Sequence, residues 1–138
     1  MDLTEPRIIE IMRICDPRGK LAVVQPPATL PFEIARTYWL HDTPAGGGTS
    51  GCASYTSRQM LVALSGSFDV DVRWSGGIKR FTLSRADRGL YIPPMTWYEI
   101  SNTSTNAVVF GVSSNLYSEV DFVRDFESFK KLINDEYA

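Results

Sequence analysis

The sequence holds a single histidine, His41, among its 138 residues. A metal centre built from several imidazoles is excluded by that count. Cysteine is also scarce. Cys15 and Cys52 are the only two, too few for the disulfide framework that staples small secreted domains, and they read as free thiols of a reducing cytoplasm. Positive charge is not in excess: 14 Lys and Arg face 16 Asp and Glu, for a net charge of −2. No basic stripe is available to a phosphate backbone, so nucleic acid is not an expected partner. No apolar run approaches the ~20 residues that cross a bilayer. The opening Met1-Asp-Leu-Thr-Glu-Pro-Arg7 is acidic and poor in apolar residues, unlike a signal peptide. The expectation is a cytoplasmic protein with no membrane partner. A small anionic ligand stays open, because one or two well-placed arginines outweigh the overall balance.

What the sequence does hold is a succession of short β-rich runs. Its length suits one domain, residues 1–138, and its 43% hydrophobic and 22% charged residues rule against wholesale disorder. Candidate strands are Arg7–Ile14, Lys20–Gln25, Ile34–His41, Gln59–Leu64, Ser67–Trp74, Ile78–Leu83, Gly89–Ile92, Trp97–Asn102 and Ala107–Ser113. Alternation is clear in places. Phe68, Val70 and Val72 share one face, and Asp69, Asp71 and Arg73 share the other. Ser75-Gly76-Gly77 signals a tight hairpin, and Pro26-Pro27, Pro31 and Pro93-Pro94 sit at run ends, where a missing N–H does least harm. Many short, evenly spaced strands predict an all-β sandwich, jelly roll or barrel. Only the C-terminus has helical spacing. Ser118 is the expected cap, Asp121 a stand-in for the capping-box glutamate, and Val120, Val123, Phe126, Phe129, Leu132 and Ile133 the apolar stripe. The glycine-rich Gly46–Gly51 stretch reads as a long inter-strand loop, since no helix start follows it to cradle a phosphate.

The same stretch carries a spacing that resembles the first signature of the cupin family. Gly46 is followed by five residues, then Cys52-Ala53-Ser54, then four residues, Gln59, six residues and Gly66. Cupins place His-x-His and Glu at the ligand positions, which here hold Cys52, Ser54 and Gln59. In the second signature a histidine follows proline by three; here Pro94 leads to Trp97. The resemblance implies a cupin jelly roll, a double-stranded β-helix barrel with a short C-terminal helix. A thiol, a hydroxyl and an amide are a poor set for Zn, Fe or Mn. No metal and no other cofactor is expected, and a metal-dependent cupin oxygenase is nearly excluded. His41, at a strand end before Asp42-Thr43-Pro44, reads as a surface or packed histidine.

A narrower resemblance spans Ile14 to Lys131. The segments Asp16-Pro17-Arg18-Gly19-Lys20-Leu21, Leu30 to Trp39, Gln59 to Phe68, Gly89 to Trp97 and Asp121 to Phe126 resemble the bacterial dTDP-4-oxo-6-deoxyglucose 3,4-ketoisomerases, the WxcM-like C-terminal type. The resemblance implies a metal-free jelly roll, a homodimer, and a thymidine-diphospho sugar bound in the barrel. It implies a step in making deoxy- or aminosugars for surface polysaccharide. In the reaction a base takes the proton from C3, an enediol forms, and a proton returns at C4, so that the ketone moves from C4 to C3. Histidine suits that task near neutral pH.

Family members carry Arg-Gly-x-His-Ala-His-Lys where this sequence reads Thr49-Ser50-Gly51-Cys52-Ala53-Ser54-Tyr55. Both catalytic histidines are replaced, by Cys52 and Ser54, and the flanking Arg and Lys by Thr49 and Tyr55. The losses cluster in one loop while the frame around it is kept, which points to activity lost or altered. A positioned acid/base is worth roughly 10²–10⁴-fold, or about 3–5 kcal/mol of barrier. Cys52 is a substitute base only as its thiolate, and a free thiol near pKa 8.5 is mostly protonated at pH 7. Tyrosines near pKa 10 donate protons but are poor bases. Tyr98 stands where the resemblance implies His or Arg, so Cys52, Ser54 and Tyr98 occupy the family's catalytic positions. Arg18 and Arg36 are candidates to hold a diphosphate or sugar oxygen. Tyr38, Tyr91 and Trp97 are candidates for an aromatic wall, and Gln59 for a polar contact. Two functions follow: a divergent ketoisomerase, or a non-catalytic module that binds a dTDP-sugar or pairs with an active subunit.

Overall fold

A computed structural model describes residues 3–137, with side chains described as far as Asn134. The chain opens with β1 (Arg7–Glu10) and a two-stranded arm, β2 (Met12–Asp16) and β3 (Gly19–Val23). Then come β4 (Arg36–Leu40), β5 (Ala53–Ser54), β6 (Gln59–Ser65), β7 (Phe68–Trp74) and β8 (Gly77–Leu83). After β9 (Arg88–Ile92), β10 (Trp97–Ser101) and β11 (Val108–Ser113), a 3₁₀ turn at Glu119–Asp121 leads to β12 (Phe122–Val123) and helix α1 (Phe126–Tyr137). One sheet has the order β1-β9-β6-β11-β4 and a second the order β10-β7-β8. No helix among the described residues is long and apolar enough to cross a membrane.

Period-two alternation decides which side chains meet between the sheets. Leu61, Ala63, Leu90, Ile92 and Val109 come from the larger sheet and Phe68, Val70, Val72, Phe81, Leu83 and Ile100 from the smaller. All are buried. The neighbours of opposite parity point the other way. Met60, Val62, Tyr91 and Val112 form a second cluster with Ile9, Ile11, Leu30 and Phe32 on the outer face of the larger sheet. The central strand β6 is therefore apolar on both faces. Trp97 leaves the barrel in the same manner and joins Ala53, Val123, Phe129 and Ile133 under α1.

Every predicted strand is present, and two expectations need correction. The run Arg7–Ile14 is two strands. The chain turns out of the sheet at Ile11, whose N–H donates to Asp87 O at 2.9 Å, and β2 then pairs with β3 instead of β9. The helix begins at Phe126, not after Ser118. Ser118 makes no side-chain cap bond, and the Asp121 carboxylate is taken by the hydroxyls of Ser54, Thr56 and Ser57. Asp125 supplies the cap instead, accepting from Ser128 N at 3.0 Å. The glycine-rich stretch is a loop tied by isolated bridges, Gly47 to Thr103 and Cys52 to Tyr98. Ser75 and Gly76 turn the β7–β8 hairpin, closed by the pair Trp74 and Gly77.

Candidate functional site

A pocket of about 300 Å³ opens at one end of the space between the sheets. Strand parity selects most of its walls, with Trp39 as the exception. From β4 come Arg36, Tyr38 and Leu40, from β6 Gln59 and Leu61, and from β10 Tyr98 and Ile100. Cys52 enters from the glycine-rich loop, and Phe122 and Arg124 from the C-terminal segment. Tyr38 can lie across β11 because its partner there is Gly111. A Cβ at that position would run into the tyrosine ring. A hollow of about 330 Å³ lies on the arm, lined by Arg13, Lys20, Arg85 and Asp87. Asp87 already accepts from Arg13 and Arg85 at 2.7 Å each, and none of the family-like site residues lines that hollow.

The pocket floor is one chain of hydrogen bonds. Tyr38 donates its hydroxyl to Gln59 Oε1. Gln59 Nε2 donates to the Tyr98 hydroxyl at 3.1 Å. The Cys52 thiol stands beside Tyr98, the two main chains being bridged. Burial pushes the Tyr38 phenol up to about 12, against a smaller lowering by Arg36. Burial also pushes the Tyr98 phenol well above its ordinary value, and the neighbouring Tyr38 and Cys52 add to it. The Cys52 thiol is raised by burial too, more than the Tyr98 hydrogen bond lowers it. The floor is therefore neutral at pH 7: two phenols, an amide and a thiol, all able to donate or accept hydrogen bonds, none a ready base.

Charge sits at the mouth. The Arg36 guanidinium lies 5.1 Å from the Tyr38 ring centroid and 5.4 Å from that of Tyr117. Its buried Nε has no hydrogen-bond partner among the described residues. Arg124 differs. It grips Glu119 with two bonds, Nε to Oε1 at 2.5 Å and Nη2 to Oε2 at 3.1 Å. That fork holds the Glu119 carboxyl down at about 2. Arg36 is thus the cation most available to an anionic ligand. Among the described residues no three His, Cys, Asp or Glu side chains gather as metal ligands.

The structure brings together Arg36, Tyr38, Cys52, Gln59 and Tyr98, and places the other candidates elsewhere. Ser54 is buried outside the pocket, donating to Asp121 Oδ2 at 2.5 Å and accepting from Ser57 N at 2.8 Å. Tyr91 faces the outer cluster, its ring centroid 6.4 Å from that of Phe32 and its hydroxyl on Leu3 O. Trp97, adjacent to Tyr98 and so of opposite parity, lies against Phe126 with ring centroids 5.2 Å apart and planes tilted by 59°, and donates to Glu99. Arg18 stands at the tip of the arm, its side chain 91% exposed, beside Asp16. His41 is exposed and pairs with Asp42 at 2.8 Å. Phe122 and Arg124 were not foreseen at the site. Both lie in the family-like segment Asp121 to Phe126, where an apparent helical stripe masked a two-residue strand.

Two stacked antiparallel sheets with a polar pocket between them make this a cupin jelly roll. The chain matches the WxcM-like, C-terminal family (FdtA) over residues 4–134. It is 33% identical over 129 residues to the TDP-4-oxo-6-deoxy-alpha-D-glucose-3,4-oxoisomerase of Aneurinibacillus thermoaerophilus, covering 94% of this chain and 93% of that one. A 3,4-ketoisomerase from Helicobacter canadensis superposes with a TM-score of 0.90 at 28% identity, over 96% of this chain and 99% of that one. The WlaRB TDP-quinovose 3,4-ketoisomerase from Campylobacter jejuni superposes at 0.87 and 29% identity, over 91% and 97%. The chain belongs to the WxcM-like, C-terminal family, whose relatives named here are sugar 3,4-ketoisomerases.

Proposed function

We propose that this chain binds a dTDP-linked 4-oxo-6-deoxyhexose in the pocket between Arg36 and Arg124, and that it no longer isomerises that sugar as histidine-bearing relatives do. The observation that carries the reading is the neutral floor, Tyr38–Gln59–Tyr98–Cys52. Moving a ketone from C4 to C3 needs a group that takes a proton from C3 near pH 7. Burial disfavours the thiolate of Cys52, and both phenols are held protonated. What remains suits binding. Arg36 offers a cationic fork for a diphosphate, and the floor offers donors to a sugar carbonyl or hydroxyl.

A second reading keeps the isomerase activity with Cys52 as the base, and the placement of Cys52 in the pocket wall favours it. Its thiolate would be scarce at neutral pH, so turnover would rise steeply with alkalinity.

The assembly is a homodimer in this reading. One face of the arm carries Met12, Ile14 and Leu21, each at least half exposed, and the pairing Ile14 with Leu21 and Met12 with Val23 lines them up as an apolar ladder. A second copy covers that ladder. The two free thiols, Cys15 and Cys52, suit a reducing cytoplasm, and the pathway is that of deoxysugars for surface polysaccharide.

The test is direct. dTDP at 100 times its Kd should stabilise the fold by about 2.7 kcal/mol in a thermal-shift assay. Incubation with dTDP-4-oxo-6-deoxyglucose should leave the ketone at C4 by NMR. No shift with millimolar dTDP overturns the binding reading; conversion to the 3-oxo sugar overturns the loss of turnover.

A further inference from the structure

The residue at the second vacated histidine position has acquired a different task. Ser54 donates to Asp121 Oδ2 at 2.5 Å, and Ser57 donates to the same oxygen at 2.7 Å. Thr56 gives its hydroxyl to Oδ1 at 2.7 Å and its N–H to Oδ1 at 3.0 Å. One carboxylate thus takes four donors from one short turn. The main chain closes the same junction, with Tyr55 N donating to Asp121 O at 2.8 Å. Beyond it, Phe122 pairs with Ser54 and Val123 with Ala53. No cation pairs with Asp121 among the described residues; hydroxyls and an amide compensate its charge.

What this junction holds in place is a pocket wall. Phe122 is the next residue after Asp121, and Arg124 is two further on; both line the pocket that Cys52 enters. Besides the junction the segment has few anchors. It consists of a 3₁₀ turn with no buried residue and a two-residue strand, of which Val123 is buried under α1. Val120 is 87% exposed.

We propose that Asp121 is a positioning residue: its carboxylate latches the Glu119–Arg124 strap onto the Ser54–Ser57 turn and so closes one side of the ligand pocket over Cys52. The proposal rests on the reading that this pocket is the ligand site, but its main test needs no ligand. Each carboxylate oxygen accepts two bonds from the turn, so an amide in its place keeps only one acceptor: its NH2 either requires the Ser54 and Ser57 hydroxyls to turn and accept, or meets the Thr56 N–H, which can only donate. Ser54 explains its own burial in this scheme: it bridges the turn and the strap, accepting from Ser57 N while donating to Asp121.

The experiment measures Cys52 exposure with a thiol reagent, Ellman's reagent, at pH 8 in a Cys15→Ser background, where Cys52 is the only thiol. D121N should raise the Cys52 labelling rate at least tenfold while far-UV circular dichroism stays that of the intact barrel. S54A, which removes one of the four donors, should raise it by a smaller factor. If D121N does not fold, S54A alone decides. Labelling within twofold of the parent in the folded variants overturns the latch. Binding gives an independent arm. D121N should weaken dTDP binding about tenfold, and D121N with F122A should be no weaker than F122A alone. A barrel merely loosened by the substitution would give additive losses instead. A parent chain that ignores dTDP while D121N still exposes Cys52 would sink the nucleotide reading and leave the latch standing.

Discussion

Cys52 and Tyr98 are held face to face by their main chains. They form an antiparallel bridge, Cys52 N to Tyr98 O at 3.2 Å and Tyr98 N to Cys52 O at 2.9 Å, and both side chains line the pocket. The bridge fixes the thiol beside a phenol that is itself held by Gln59. A sulfur placed in this way is a packed polar group, and its reactivity depends on how far burial outweighs the phenol's donation.

That balance sets a pH profile. Burial raises the Cys52 thiol, and Tyr98 lowers it by a smaller amount. In the Cys15→Ser chain, labelling of Cys52 should therefore be slow at pH 7 and rise with a midpoint above the free-thiol value of about 8.5. Y98F removes the donor and should move the midpoint higher still. A midpoint below 8 in the parent chain would show an activated thiol and revive Cys52 as a base.

The two buried phenols predict an alkaline limit to stability. Tyr38 ionises at about 12 in the fold against roughly 10 in the unfolded chain. A group whose folded value is raised gives stability that is complete below the unfolded value and is lost as pH climbs through the folded one. The window is pH 10 to 12, and the Tyr38 share is roughly 3 kcal/mol. Tyr98 acts in the same direction. Urea unfolding at pH 8, 10 and 11 should show a falling midpoint, with a shallower fall in Y38F. Equal slopes in the two proteins would mean that the Tyr38 phenol is not desolvated as described.

Most of the fold was legible because strand alternation reports burial directly. The set Phe68, Val70, Val72 is buried and the set Asp69, Asp71, Arg73 is half-buried, as the pattern predicts. Five of the nine candidate site residues line one pocket, four of them on strands and placed there by the same parity, and Cys52 from the loop. Tyr91 and Trp97 sit elsewhere for that reason too. Each is one residue out of phase with a pocket- or core-facing neighbour, Ile92 in one case and Tyr98 in the other. What was not legible depends on partners distant in sequence. The start of α1 was misplaced because Asp121 spends its carboxylate on the 54–57 turn, a contact across 67 residues that no local pattern announces. The break at Ile11 depends on Asp87 in the same way.

Arg36 should dominate anion binding. It is stacked between two rings and has a buried donor left over, whereas Arg124 is spent on Glu119. A charge-assisted hydrogen bond is worth about 1.5–3 kcal/mol, so R36A should weaken dTDP binding by about 10- to 100-fold in a calorimetric titration. R36K keeps the charge but loses the fork and should recover only part of that loss. Unchanged affinity in R36A would place the diphosphate elsewhere.

The arm should control assembly. Ile14 and Leu21 are cross-strand partners with 56% and 60% of their surfaces exposed. I14D together with L21D puts two like charges on that face and should turn a dimer into a monomer in sedimentation velocity. The barrel's melting should change little, because neither residue belongs to the buried core. A parent chain that sediments as a monomer would remove the arm's assigned role.

The most direct measurement is deuterium uptake. The parent chain and C52H are incubated with dTDP-4-oxo-6-deoxyglucose in D₂O, and C3 and C4 of the sugar are followed by NMR. The neutral floor predicts no uptake by the parent above the enzyme-free rate, and measurable uptake by C52H, which places an imidazole in the pocket wall. Uptake by the parent at a rate well above background would contradict the account, because it would require a base that the pocket does not hold at neutral pH.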